Sequence, residues 1–256
     1  MALRIVLFTL TLSILPMFSI AQQAESDAIK AVQDLERYRE TQIPLWMSDF
    51  GNLQRYRESN AELPPPPAKE ARVVFLGDSI TDSWELARYF PGKPYINRSI
   101  SGQTTPQLLL RFRSDVLNLH PKVVVILAGT NDIAGNTGPM SIDAIVANLN
   151  TMSELARFHG IRVVLASITP VNGYTPTAKL YFPLRPPAQI AELNRLIREY
   201  CASNDCVYLD YFSAMLDDKG LLKADLSDDG LHPNERGYSL MAARAQKAID
   251  QALTWP

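Results

Sequence analysis

Four short apolar runs constrain the fold of this chain more than any other feature: Val73-Val74-Phe75-Leu76, Val123-Val124-Val125-Ile126-Leu127, Val163-Val164-Leu165-Ala166 and the shorter Val207-Tyr208-Leu209. A run that is apolar at every position needs cover on both faces, which suits a parallel strand inside a sheet. Helical stretches near residues 104–118, 141–158, 187–203 and 235–253 alternate with these runs. Strands separated by helices imply right-handed crossovers. The pattern predicts an α/β fold, a three-layer α/β/α sandwich around a parallel sheet.

The region ahead of the first run is organised differently. Residues 1–21 begin with Arg4 and continue as an apolar stretch from Ile5 to Ile20, ending in Ser19-Ile20-Ala21. That is the layout of a cleaved signal peptide. The competing reading is a membrane anchor, but the stretch is shorter than the ~20 residues a spanning helix needs and contains Pro16. Export, secreted or periplasmic, is the expectation, with no stable membrane insertion after cleavage. Residues 22–67 carry apolar positions Ala28, Ile29, Val32, Leu35 and Tyr38 at helical spacing. Pro44 and then Pro64 to Pro67 punctuate them, and the proline run is extended. This segment reads as a helical appendage and linker, and residues 68–256 as the catalytic domain. The four prolines are the only low-complexity patch.

Charge and composition exclude several functions. With 25 Lys+Arg against 27 Asp+Glu there is no basic stripe to hold a nucleic acid. Two cysteines and three scattered histidines make no metal-ligand cluster. In an oxidising compartment Cys201 and Cys206 could close a small loop; two buried free thiols is the other reading. Oligomeric state is not legible in the sequence.

Four words carry the chemistry: Gly77-Asp78-Ser79-Ile80-Thr81, Ser101-Gly102-Gln103, Gly129-Thr130-Asn131-Asp132 and Asp229-Gly230-Leu231-His232-Pro233. The first follows directly on an apolar run, and the third does the same. In open α/β sheets binding sites form beyond the carboxyl ends of the strands, so both words belong at one edge. Ser79 is the candidate nucleophile, against the plain alternative of a helix N-cap serine. His120 and His159 sit at helix ends, which leaves His232, in a loop entering the last helix, as the general base. Pro233 is expected at the first position of that helix. Asp229 would orient His232; Asp228 is the rival, and the three-residue offset favours Asp229. Gly102 N–H, the Asn131 side-chain amide and Ser79 N–H are candidate oxyanion donors, with turn formation the bland reading of Gly102 and Asn131. Asp132 reads better as a cap or turn residue. No G-x-G-x-x-G follows a strand, and the nucleophile word lacks the final glycine of G-x-S-x-G.

The order and wording of these blocks resemble the SGNH hydrolases, also called GDSL esterases and lipases, over about Val73 to the last helix. The resemblance implies a flavodoxin-like parallel sheet, no cofactor, and ester hydrolysis through an acyl-serine. Its serine, glycine, asparagine and histidine match Ser79, Gly102, Asn131 and His232, and its acid matches Asp229. The first word has Ile80 where many members have Leu.

The expected activity is a serine esterase acting on short acyl esters of small molecules or saccharides. Lysophospholipase, thioesterase and acyltransferase activities use the same residues. A non-catalytic carbohydrate-binding protein is the alternative of another class, and loss of Ser79 or His232 would be its mark. The stretch 171–187 contains Tyr174, Tyr181, Phe182 and Arg185 on a proline-rich loop after a strand, a candidate substrate wall. Asn97-Arg98-Ser99 fits a glycosylation acceptor close to Gly102, where a glycan would crowd the site.

Overall fold

The computed structural model describes residues 15–254, with side chains from residue 21 onward. Most of the expected leader, residues 1–14, lies outside the described residues. The five strands are β1 (Val73–Gly77), β2 (Tyr95–Asn97), β3 (Val123–Leu127), β4 (Arg162–Ala166) and β5 (Cys206–Leu209). They form one sheet in the order β2-β1-β3-β4-β5, all parallel. Every residue of β1 and β3 is buried, as continuous Val-rich runs between two helical layers require. β2 is only three residues long and half-buried, too short for its period to stand out in the sequence.

The five long helices are α1 (Leu15–Asp49), α2 (Thr105–Asp115), α3 (Ile142–Phe158), α4 (Pro187–Ser203) and α5 (Glu235–Thr254). α2, α3 and α4 pack side by side as one layer, with α3 on β4 and α4 on β5. α5 covers β3, β4 and β5. Its inner face carries Ala242, Ala245, Ala248 and Ala252, small residues that let the helix lie close to the strands. The result is the three-layer α/β/α sandwich with a flavodoxin-like strand order.

The N-terminal segment departs from expectation in one way. α1 is a single helix of 35 residues that runs through Pro44. An internal proline leaves the carbonyl of Glu40 without its usual donor, but Glu40 is exposed and open to water. The helix packs on the loop between β4 and α4, against the short 3-10 turns Ala178–Leu180 and Phe182–Leu184. Asp27 pairs with Lys179 at 2.9 Å, and Arg39 Nε donates to the Gly135 carbonyl at 3.1 Å. These contacts seat the helix across the carboxyl edge of the sheet. Among the described residues no helix is long and apolar enough to cross a membrane.

Cys201 at the end of α4 and Cys206 at the start of β5 are joined by a disulfide, with Cα atoms 5.0 Å apart.

Candidate active site

β1 ends at Gly77, and Asp78 caps the next short helix, Ser79–Asp82, by accepting from Ile80 N–H at 3.0 Å. The cap is therefore Asp78, and Ser79 stands at the first helical position. That position leaves its backbone N–H outside the helical ladder. Asp78 is completely buried, and burial raises its carboxyl to about 6.

The histidine word makes a tight loop, closed by the bridge between Ser227 and Pro233. Asp229 Oδ1 accepts from the backbone N–H groups of Leu231 and His232, at 3.0 and 2.8 Å. Its other oxygen faces His232 Nδ1 at 2.7 Å. Burial pushes the Asp229 carboxyl up, but these bonds from His232 and Leu231 outweigh it and hold the group well below the usual carboxylate range. A carboxylate against Nδ1 calls for the proton there, which leaves Nε2 as an acceptor. Ser79 Oγ lies 2.9 Å from Nε2. Asp228 points elsewhere and accepts from Asn234 Nδ2 at 3.2 Å. The last helix begins at Glu235, at the start of the expected 235–253 stretch. Pro233 is not its first residue, because Pro233 is used in the bridge and Asn234 caps the helix through Oδ1.

Asn131 follows β3 in a short helix, Thr130–Ile133, so the ends of β1 and β3 bring it beside Ser79. The two strands are neighbours at the point where the strand order reverses, the place where such sheets bind ligands. Asn131 Nδ2 donates to the Gln103 carbonyl at 3.1 Å, and Asn131 Oδ1 accepts from Arg185 Nη2 at 3.1 Å. Gly102 has φ +80, and its carbonyl accepts from Asn136 Nδ2 at 2.9 Å. Among the described residues neither Ser79 N–H nor Gly102 N–H donates to a protein acceptor. Asp132 is not a cap or turn residue of its own segment: it lies inside the short helix Thr130–Ile133, whose N-cap is Gly129. Its carboxylate accepts from Thr105 N–H and Oγ1 at the start of α2, and burial raises it to about 6.

Ser79, Gly102, Asn131 and His232 line one cavity of about 490 Å³. Its remaining walls are mostly apolar: Leu180, Leu184 and Leu231 from loops, and Ala31, Leu35 and Tyr38 from α1. A larger hollow of about 610 Å³ lies at the opposite edge, where β4 begins, and holds none of the motif residues. Of the three aromatics expected at the substrate wall, Tyr181 lines the cavity, its ring edge-on to His232 with centroids 5.7 Å apart. Tyr174 and Phe182 do not. Tyr174 is exposed and donates to Asp217 Oδ2 at 2.5 Å, while Phe182 packs over Gly173, 3.2 Å from where a β-carbon would be. The helical turns at 178–184 direct successive side chains to different sides, so only part of the stretch reaches the cavity. Asn97 is also committed internally: its Nδ2 donates to the Thr81 carbonyl at 2.6 Å.

Residues 75–240 match the model of the GDSL-like lipase/acylhydrolase family. The chain belongs to this family. A putative acylhydrolase from Bacteroides fragilis, whose crystal structure is solved, is 42% identical, covers 80% of this chain and 99% of its own, and superposes with a TM-score of 0.73. The platelet-activating factor acetylhydrolase IB subunit alpha2 of Homo sapiens is 28% identical over 193 residues, 72% of this chain and 79% of its own. An uncharacterized lipoprotein of Bacillus subtilis is 33% identical over 118 residues, 39% of this chain and only 49% of its own. This GDSL-like acylhydrolase therefore has a family core that carries every motif residue. α1, which supplies Ala31, Leu35 and Tyr38 to the cavity, lies ahead of the matched residues. Local sequence held no signal for that placement, since Tyr38 reads as one apolar position among several on a helix.

Proposed function

We propose that this acylhydrolase is an exported serine esterase that removes short acyl groups, acetyl above all, from an alcohol. One observation carries the reading: the unbroken series Ser79 Oγ, His232 Nε2 and Nδ1, Asp229 Oδ2, with steps of 2.9 and 2.7 Å, at the wall of a cavity.

In the proposed reaction Ser79 Oγ attacks the acyl carbon while His232 Nε2 takes its proton, and Asp229 stabilises the imidazolium. The carbonyl oxygen becomes an oxyanion, for which Ser79 N–H, Gly102 N–H and the free Asn131 Nδ2–H are the donors. Collapse breaks the bond to the alcohol oxygen, which takes the proton from His232. Water then repeats the sequence on the acyl-serine and releases the acid. This assignment needs no cofactor.

Short acyl groups are supported by the cavity, about 490 Å³ for acyl group and alcohol together and walled on one side by α1. The acetylhydrolase named above, 28% identical, points the same way. The Tyr181 ring beside His232 is an apolar face suited to a sugar alcohol. Export is supported by the leader-like residues 1–21 and by the Cys201–Cys206 disulfide, a bond typical of oxidising compartments.

The test is turnover of p-nitrophenyl esters from acetate to octanoate, and of acetylated sugars, by wild type and by Ser79→Ala. Loss of turnover in Ser79→Ala and preference for acetate are expected. Equal activity in both proteins would remove Ser79 from the role, and preference for octanoate would overturn the short-acyl reading.

A further inference from the structure

Arg185 stands where an arginine is costly. It is buried to 4% exposure, and among the described residues no carboxylate lies within ion-pair distance of it. A buried guanidinium without a paired anion pays a desolvation penalty that the folded state must offset. Its hydrogen bonds are unusually directed. Nε donates to Thr130 Oγ1 at 3.0 Å and Nη2 donates to Asn131 Oδ1 at 3.1 Å, while Nη1 reaches the Tyr181 carbonyl at 3.3 Å. Two of the three bonds thus fall on consecutive residues of the Gly129–Asp132 word. Pro186 and Pro187 follow directly and stiffen the backbone that presents the side chain.

The consequence lies in the Asn131 carboxamide, which has two N–H donors and one oxygen. Its oxygen is engaged by Arg185, and one N–H by the Gln103 carbonyl. A flip of the amide would set oxygen against oxygen at Gln103 and N–H against the cationic Nη2. Both contacts would be repulsive, so a single orientation is selected. In that orientation the second N–H is left for the cavity that Asn131 lines. The cation on Oδ1 also draws electron density from the amide and makes that N–H a better donor.

We infer that Arg185 is a positioning residue for the reaction: it locks and polarises Asn131 as an oxyanion donor. Its charge, which the nearby carboxylates of Asp78 and Asp229 favour without pairing to it, is favoured further when the oxyanion forms. Such an interaction is stronger in the transition state than in the ground state and so acts on kcat. Burial lowers the guanidinium to about 10, which still leaves it protonated at neutral pH. The inference rests on the esterase reading above.

A double-mutant cycle on p-nitrophenyl acetate tests it, with Asn131→Ala, Arg185→Gln and the two combined. Asn131→Ala should lower kcat by ~10²–10³-fold, the usual loss for one oxyanion donor. Arg185→Gln should lower kcat by at least ~10-fold with KM changed less than ~3-fold, and the double variant should be no slower than Asn131→Ala alone. Wild-type kcat in folded Arg185→Gln, or losses that multiply in the double variant, would overturn the inference. Should Arg185→Gln not fold, Arg185→Lys serves in its place. A lysine keeps the charge but cannot span Thr130 and Asn131, so kcat should fall by a similar factor; full kcat would overturn the locking role. A wild type inactive on every ester would instead count against the esterase reading.

Discussion

The Tyr38 hydroxyl on α1 lies directly against Gly102, in the space that a β-carbon on residue 102 would occupy. Gly102 is required twice here, by φ +80 and by this close approach. A helix that precedes the family-matched residues thus packs on a proposed oxyanion donor.

Gly102→Ala should therefore cost both strain and overlap, displacing the N–H at residue 102 and lowering kcat/KM by about 10²-fold, the scale of a lost oxyanion donor. Adding Tyr38→Phe removes the overlapping oxygen and should recover part of the loss. Steady-state kinetics of the single and double variants check this, and no recovery at all would show that strain alone carries the effect.

Leu35, one turn earlier on α1, lines the same cavity. Leu35→Ala opens space at that wall, so the kcat/KM ratio of p-nitrophenyl butyrate to acetate should rise several-fold, the order expected for accommodating an added methylene or two. An unchanged ratio would place the acyl group away from α1.

The two aspartates of the histidine word should separate cleanly. Asp229→Asn removes the carboxylate at His232 Nδ1 and should lower kcat by on the order of 10³–10⁴, as loss of the correct tautomer does. Asp228→Asn alters only a contact with the Asn234 side chain and should keep kcat within about 2-fold, in line with a surface change of ~0.5 kcal/mol.

Asp78 makes stability depend on pH. Its folded-state carboxyl takes a proton near pH 6, whereas in the unfolded chain it does so near 3.8. The folded protein binds more protons between those values, so the Asp78 contribution becomes more favourable as pH falls through the window. Asp78→Asn is neutral throughout. From pH 8 to pH 4 the stability difference should move in favour of wild type by on the order of 2 kcal/mol, at about 1.36 kcal/mol per pKa unit. Denaturant melts at the two values test this; a constant difference would mean that Asp78 does not titrate there.

Much of the fold was legible because its signals are local. The runs at Val73, Val123, Val163 and Val207 announce four of the five strands, and the expected helices agree with α2 to α5 to within a few residues. β2 escaped because three half-buried residues make no run. Pro44 suggested a break that α1 does not have, since a proline is tolerated where the released carbonyl meets water. Spacing placed the Ser79 and Asn131 words at strand ends, and their shared edge follows from the parallel sheet.

By itself the sequence determined a parallel α/β sandwich with the serine and asparagine words gathered at its carboxyl edge and His232 singled out by elimination, because periodicity and strand–helix alternation are properties of neighbouring residues. Tertiary structure alone decided the rest. It separated Asp229 from Asp228 through bonds to His232, and brought Tyr181 into the cavity while leaving Tyr174 and Phe182 outside. It also set Arg185 on Asn131, 54 residues away in the chain, and Tyr38 on Gly102. These contacts join residues that share no local pattern, and only close packing of the folded chain brings them within reach of each other.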